Sequence, residues 1–173
     1  MQRRHENNEV EEEELPIVSN SSVIIALARI CRLDLLEKLF RETLVPKAVW
    51  REATVEGKPG SEKVRKTKFI RVEGVRSEGL ALLLKEFVDD GEAEAIALAL
   101  EVGANIILVD DRDARDLAKK LGLQVMGTLG VIALAKYRGL IPEAKPILDR
   151  LVESGFWISR RILEQFLREL DEL

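Results

Sequence analysis

Three aspartates within four positions follow an apolar run near the middle of the chain. Residues 106–109 are apolar and mostly β-branched, which predicts a strand buried on both faces of a parallel sheet. Asp110, Asp111 and Asp113 follow it, and apolar residues then recur at helical spacing up to Gly122, where we expect the helix to end. The acids therefore lie between a strand and a helix, at the edge where open α/β sheets bind ligands. Carboxylates clustered there repel one another, and a divalent cation relieves that repulsion.

Each of these aspartates also has a purely structural interpretation. Aspartate is a common N-cap at a strand-to-helix junction, and a carboxylate in the first helical turn suits the helix dipole. One cap accounts for one acid rather than for three. We therefore interpret Asp110 as the cap or turn residue, and we expect Asp111, Asp113 or both to face a metal site.

Oxygen-bearing side chains also occur at three other strand ends or helix starts. Asn20 follows the first apolar strand, Glu52 lies in an early helix, and Glu94 lies in a helix rich in Ala, Ile and Leu. The spacing of Asp89 and Glu92 predicts a capping box, which gives Glu92 a structural role. Glu94 points about 200° away from Glu92 around the helix. It has no such role, and a carboxylate in apolar surroundings needs a partner.

A parallel sheet would bring these distant side chains to one edge. Carboxylate and amide oxygens without Cys or His favour a hard cation such as Mg²⁺ or Mn²⁺ over zinc. Such an ion can lower the pKa of bound water and stabilise charge on a phosphate. The candidate metal-binding residues are Asn20, Glu52, Glu94, Asp111 and Asp113.

Short apolar strands alternate with helices along the whole chain. This alternation predicts an α/β fold with a parallel sheet and helices on both faces. The predicted strands are residues 15–18, 43–45, 69–72, 106–109 and 123–126. Two further helices, at about residues 144–154 and 159–172, are expected to pack on the domain or on a partner.

The composition is that of a globular chain with a heavily charged surface. Of the 173 residues, 46% are hydrophobic and 34% charged, which suits one domain with a substantial core. We expect residues 1–15, which are acidic and lack an apolar period, to form a disordered tail, and residues 16–173 to form the single domain. The only histidine, His5, lies in that tail, so Ser-His or Cys-His catalysis elsewhere is excluded. The abundance of Lys, Arg and Glu is typical of a thermophile.

Net charge and cysteine content indicate which partners and which cellular compartment to expect. The net charge of −4 gives no overall attraction to nucleic acid, although a local basic patch remains compatible with it. No apolar run approaches the ~18 residues of a membrane span, so no membrane partner is expected. Cys31, the only cysteine, cannot form an internal disulfide, which favours a reducing cytoplasm. It lies in an apolar helical stretch and is expected in the core.

Five segments, in this order, resemble PIN-domain proteins, in particular a prokaryotic PIN-like subfamily. The segments are residues 18–27, 44–52, 91–99, 108–115 and 127–131, and the resemblance spans about residues 16–158. It implies a three-layer α/β/α sandwich with a parallel sheet of about five strands. It also implies cleavage of RNA that depends on Mg²⁺ or Mn²⁺, commonly by the toxin of a toxin–antitoxin pair. Members of this kind often form homodimers and are masked by a small antitoxin protein.

The same resemblance assigns roles to individual residues. It makes Asn20, Glu52, Glu94 and Asp111 the metal-site residues and Asp113 a fifth, with Glu52, Glu94 and Asp111 catalytic. The family usually has Asp at the position of Asn20. Asn keeps one carbonyl oxygen but loses a negative charge, worth on the order of a few kcal/mol beside a cation at an effective dielectric near 20. We expect weaker metal binding and reduced cleavage from this change.

Three functions are compatible with this sequence. The first is a metal-dependent ribonuclease acting on single-stranded RNA. The second is a degenerate PIN module that binds RNA or a protein partner without cleavage. The third is a phosphotransferase of the haloacid-dehalogenase type, suggested by Asp111-x-Asp113, but those enzymes carry the motif after their first strand and here it follows a late one.

Overall fold

Five short parallel strands form the centre of the fold. The structure is a computed structural model that describes residues 16–173, so the predicted tail, including His5, lies outside the described residues. The strands are β1 (Ile17–Ser19), β2 (Thr43–Val45), β3 (Ile70–Val72), β4 (Ile106–Leu108) and β5 (Gln124–Met126). Their spatial order is β3-β2-β1-β4-β5, and all neighbours are parallel. Val18 is paired with Leu44 on one side and with Ile107 on the other.

Helices flank both faces of this sheet, which confirms the predicted α/β/α class. Ten helices lie within the described part of the chain. They are α1 (Ser21–Arg29), α2 (Asp34–Phe40), α3 (Lys47–Ala53), α4 (Ser61–Lys66), α5 (Glu78–Leu84), α6 (Asp90–Val102), α7 (Arg112–Lys120), α8 (Thr128–Tyr137), α9 (Lys145–Glu153) and α10 (Arg160–Glu169).

The two central strands lie in the core, and this burial positions the functional edge. Val18 in β1 and Ile107 and Leu108 in β4 have no exposed surface. Leu27 of α1 and Ile96 of α6 are fully buried as well. Because apolar side chains cover both faces of β1 and β4, polar groups are placed at their ends. Their carboxyl ends are followed by Asn20 and by the aspartate run.

The predicted position of Cys31 is wrong. It was predicted in the core, but α1 ends at Arg29 and Cys31 follows in a left-handed conformation with φ of 59°. This turn directs the side chain outward, where the thiol is exposed and lies 2.6 Å from Nζ of Lys63. Between residues 16 and 173, none of the helices has both the length and the apolar character needed to cross a membrane.

Candidate functional site

Asn20 lies at the carboxyl end of β1, beside the end of β4. Its backbone N–H donates to the carbonyl oxygen of Leu108 at 2.8 Å, which fixes it between the two strands. Asn20 occupies the N-cap position of α1, but its side chain makes no capping hydrogen bond. The residue is 4% exposed, and Oδ1 is buried without a hydrogen-bond partner in the described structure. A buried acceptor left without a donor costs about 1–3 kcal/mol, so this oxygen is suited to a ligand that the protein itself does not supply.

Helix α3 brings Glu52 to the same place. The hydroxyl of Ser21, the residue after Asn20, donates to Oε2 of Glu52 at 2.6 Å. Oε1 of Glu52 lies against Gly91, only 2.5 Å from the position that a Cβ at Gly91 would occupy. The absence of a side chain at Gly91 therefore lets the carboxylate approach the start of α6.

Glu92 is a candidate site residue to which the sequence analysis gave only a structural role. It forms the predicted capping box: its backbone N–H donates to Oδ1 of Asp89 at 2.8 Å, and its Oε2 accepts from the Asp89 N–H at 3.2 Å. The residue is 7% exposed. Burial, together with the negative charges of Asp89, Asp111 and Glu52, raises the pKa of Glu92 to about 7. The capping box thus also anchors a carboxylate beside Glu52 and Asp111.

Asp111 and Asp113 face an open cavity at the carboxyl edge. Asp111 is the N-cap of α7, and its Oδ1 accepts from the N–H of Ala114 at 3.0 Å. We call the space of about 410 Å³ at this edge the carboxylate cavity. It is lined by Lys85, Phe87, Val88, Asp89, Glu92, Asp111 and Asp113.

Asp110 has the structural role predicted for it. Its Oδ1 accepts from the N–H of Thr128 and its Oδ2 from the Thr128 hydroxyl, so its carboxylate caps α8 rather than α7. Both of its oxygens are occupied by these contacts. The structure therefore separates Asp110 from Asp111, although the two are adjacent in the chain.

Glu94 lies in a different environment from the other predicted site residues. Its Oε2 accepts from the backbone N–H of Ala48 at 3.1 Å, which supplies the partner that its apolar surroundings require. It lines a second space of about 450 Å³, the basic cavity. The other lining residues of the basic cavity are Lys47, Arg51, Gly74, Val75, Glu78, Ala81, Leu82 and Lys85. The structure thus places Glu52, Asp111 and Asp113 around Glu92, and it turns Glu94 toward the basic cavity.

Comparison with known families identifies the family to which this fold belongs. A family model described as a PIN domain matches residues 16–172. The chain belongs to the PIN-domain family. A search among curated proteins found no match. The five-strand parallel sheet flanked by helices agrees with a PIN fold, and membership indicates a nuclease-type fold.

PIN domains generally use divalent metal ions, and the residues at this edge have the matching chemistry. The donor set consists of carboxylates and one amide oxygen, as hard cations prefer. Within residues 16–173, no three acidic, His or Cys side chains are already arranged as a metal-ligand group. The buried, unpartnered Oδ1 of Asn20 and the repulsion that raises the pKa of Glu92 are both features that a cation would relieve. The residues therefore fit a hard divalent cation by chemistry.

Proposed function

We propose that this PIN domain is a metal-dependent ribonuclease that cleaves single-stranded RNA. The observation that carries the proposal is the position of Glu92, a buried carboxylate among the charges of Asp89, Asp111 and Glu52. Like charges held together without a cation disfavour the ionised state, and a divalent ion such as Mg²⁺ or Mn²⁺ would reverse that cost. The nuclease-type family supports RNA as the substrate class.

The metal-binding residues in this proposal are Asn20, Glu52, Glu92 and Asp111, with Asp113 at the open side. Glu92 takes the place that the sequence analysis gave to Glu94. The reason is geometric: Glu92 lines the carboxylate cavity, whereas the carboxylate of Glu94 binds the N–H of Ala48 and lines the basic cavity.

Three carboxylates are held with one oxygen committed and the other available. Oε2 of Glu52 accepts from Ser21, Oε2 of Glu92 accepts from Asp89, and Oδ1 of Asp111 accepts from Ala114. The second oxygen of each of these carboxylates has no hydrogen-bond partner among residues 16–173. Supporting hydrogen bonds of this kind fix the orientation of metal ligands.

A bound divalent ion would lower the pKa of a coordinated water and offset charge on a phosphodiester. The chain itself contributes orientation. Ser21 holds Glu52, and the capping hydrogen bond of Asp111 fixes its side chain at the start of α7. Without an ion, Glu92 has a pKa of about 7 and keeps its proton up to neutral pH, and binding of the ion would release that proton.

Asn20 favours the alternative function, a PIN module that binds RNA or a protein without cleavage. A neutral amide at this buried position leaves one negative charge fewer beside the ion, a loss on the order of 4 kcal/mol per unit of the ion's charge at 4 Å and an effective dielectric of 20. We therefore expect cleavage by the natural chain to be slow. The toxin role, the antitoxin partner and the homodimer rest on the family resemblance and stay predictions.

The test is to restore the charge with Asn20→Asp and to measure cleavage of a labelled single-stranded RNA in Mn²⁺ and in EDTA. We expect a gain of about tenfold or more in Mn²⁺, because each ~1.4 kcal/mol of recovered attraction is a factor of ten. Asn105→Asp is the matched control, since it adds the same charge at an exposed position before β4, at the opposite edge of the sheet.

A second readout does not depend on catalysis. Mn²⁺ should raise the melting temperature of Asn20→Asp more than that of the natural chain or of Asn105→Asp, because a ligand stabilises the state that binds it. Mn²⁺ stabilisation without cleavage by either form would favour the binding module. If Mn²⁺ neither stabilises these proteins nor supports cleavage by them, the metal site itself is contradicted.

A further inference from the structure

The basic cavity presents two cations that have no hydrogen-bond or ion-pair partner among residues 16–173. Lys47 and Arg51 are four residues apart and therefore lie on the same face of α3. Both are exposed, and neither makes an ion pair or side-chain hydrogen bond with any other residue between 16 and 173. The side chain of Lys47 extends toward Gly74, with Cε 3.9 Å from where a Cβ on that glycine would be.

The acids of this cavity leave those two cations available. Glu94 is held by the backbone N–H of Ala48 at 3.1 Å. Glu78 lies in the first turn of α5, where the helix dipole favours a negative charge. Two unpaired cations in one concave space, on a chain whose net charge is −4, form a local binding surface for an anion.

Lys85 connects this surface to the carboxylate cavity. It lines both spaces, and its Nζ lies 3.7 Å from Oδ1 of Asp90 at the start of α6. The two cavities are therefore neighbours along the surface, with a cationic side chain between them. A ligand that spans both would meet acidic groups at one end and basic groups at the other.

We propose that the basic cavity binds a phosphate of the RNA strand adjacent to the phosphodiester held at the carboxylate cavity. This inference rests on the proposed function and names the contact that positions its substrate. A lysine ammonium and an arginine guanidinium are the side chains that most commonly contact nucleic-acid phosphates. The carboxylate cavity repels a polyanion, so the strand needs an anchor outside it. A cavity of about 450 Å³ is large enough to accept more than a bare ion.

The test measures affinity without cleavage. The natural chain and the double variant Lys47→Gln/Arg51→Gln are titrated with a fluorescent single-stranded RNA in EDTA, over a range of salt concentrations. We expect the dissociation constant of the variant to rise about tenfold or more. The salt slope should fall by about 0.7, since the proposed cavity holds one phosphate and each phosphate contact on a single strand contributes about 0.7.

The matched control removes the same charge elsewhere. Lys119→Gln/Lys120→Gln changes two exposed lysines at the end of α7 that lies away from Asp111. We expect less than about a twofold change in affinity, because screening weakens charges beyond about 10 Å at ordinary salt. Both double variants should stay folded, because none of the four side chains has a hydrogen-bond or ion-pair partner within the described residues, and the melting temperature checks this.

The outcomes separate this inference from the proposed nuclease function. Loss of affinity in the cavity variant, with no cleavage by Asn20→Asp in Mn²⁺, would support the phosphate site and contradict the nuclease. Unchanged affinity and salt slope would overturn the phosphate site even if Asn20→Asp cleaves RNA. Absence of RNA binding by the natural chain would overturn it too. Binding of poly-glutamate but not RNA, with the same dependence on Lys47 and Arg51, would overturn it in favour of an acidic protein partner.

Discussion

Asp110 binds Thr128 through both of its carboxylate oxygens. Oδ1 accepts the backbone N–H of Thr128 at 2.7 Å, and Oδ2 accepts its hydroxyl at 2.6 Å. These bonds join the end of β4 to the first residue of α8, and Thr128 is fully buried. One aspartate of the run is thus used to hold the edge of the sheet together, while Asp111 and Asp113 remain open to the cavity.

Asp110→Ala should therefore destabilise the protein without removing a metal ligand. We expect a loss of about 2–3 kcal/mol in the free energy of unfolding, because two donors of Thr128 lose their acceptor. Thr128→Val, which removes only the hydroxyl, should cost about 1 kcal/mol. The measurement is the urea midpoint at constant slope. An Asp110→Ala variant as stable as the natural chain, but without response to Mn²⁺ in the Asn20→Asp background, would contradict this assignment.

Gly91→Ala should disturb the site more than the fold. The new Cβ would lie 2.5 Å from Oε1 of Glu52, so that carboxylate must shift, and we expect the shift to break its hydrogen bond with the hydroxyl of Ser21. Alanine favours a helix by up to about 1 kcal/mol over glycine, and the lost hydrogen bond offsets a similar amount. We expect little net change in stability, and weaker stabilisation by Mn²⁺ when the substitution is made together with Asn20→Asp.

Gly79→Ala is the matched control for Gly91→Ala. Gly79 occupies the same second position, in α5 instead of α6, and nothing lies within 4 Å of the Cβ it would gain. It should raise the free energy of unfolding by about 0.5–1 kcal/mol and leave the response to Mn²⁺ unchanged. Equal effects of the two alanines on that response would show that Glu52 is not held at Gly91 as described.

Hydrophobic periodicity was sufficient to predict the sheet and most helices. The apolar runs at 43–45 and 106–109 correspond to β2 and β4, and the helices expected at about 144–154 and 159–172 correspond to α9 and α10. The α4 helix was missed because the turn signals at Gly57 and Gly60 dominate a short, highly charged segment. Local patterns also fail for Cys31, since the point at which α1 ends depends on tertiary packing.

The location of the candidate site was predictable from the sequence, but the full set of its residues was not. Strand ends indicated that Asn20 and Asp111 lie at one edge of the sheet, because parallel strands place their carboxyl ends together. The choice between Glu92 and Glu94 depended on which side of α6 meets that edge, and this is set by how α6 packs on α3 and β1. A residue with a complete local explanation, the capping box, can therefore still be a candidate for a site.

Glu92→Gln should remove the loss of folding stability that ionisation of Glu92 causes as pH rises. The usual pKa of a glutamate is near 4.5, and in the folded chain the pKa of Glu92 is about 7. The folded state therefore retains the proton over this range, so stability present below pH 4.5 is lost as pH rises through 7. Glutamine does not titrate and can still close the capping box. We expect the variant to be about 1–2 kcal/mol more stable above pH 8 in EDTA, less than the full pKa difference implies because water screens the open side.

The measurement is urea unfolding of both proteins from pH 5 to 9. The difference in the free energy of unfolding between Glu92→Gln and the natural chain should grow with pH and level off above 8. Mn²⁺ should reduce this difference, because an ion favours the ionised carboxylate. A difference that is flat with pH in EDTA would contradict the electrostatic description of the site.

Glu172 fastens the C-terminal helices to the domain, and its removal should loosen them. Oε1 accepts from Nζ of Lys136 at 2.6 Å and from the N–H of Ala144 at 2.7 Å, and Oε2 accepts from the N–H of Lys145 at 2.7 Å. Burial opposes ionisation, but these donors hold the pKa of Glu172 below its usual value. Glu172→Gln should cost about 2 kcal/mol at pH 7, because its amide group would face donors.

The stability that Glu172 contributes should depend on pH in the opposite direction to the contribution of Glu92. A lowered pKa means that the unfolded state binds the proton first, so the stabilisation is present above the usual pKa and disappears as pH falls through the folded value. The gap between the natural chain and Glu172→Gln should therefore narrow below about pH 4.5. Glu169→Gln is the control, because the one side-chain hydrogen bond of exposed Glu169 among residues 16–173 comes from Gln165, and it should change stability by less than about 0.5 kcal/mol. A gap that stays constant down to pH 3 would show that the charge of Glu172 does not contribute to this attachment.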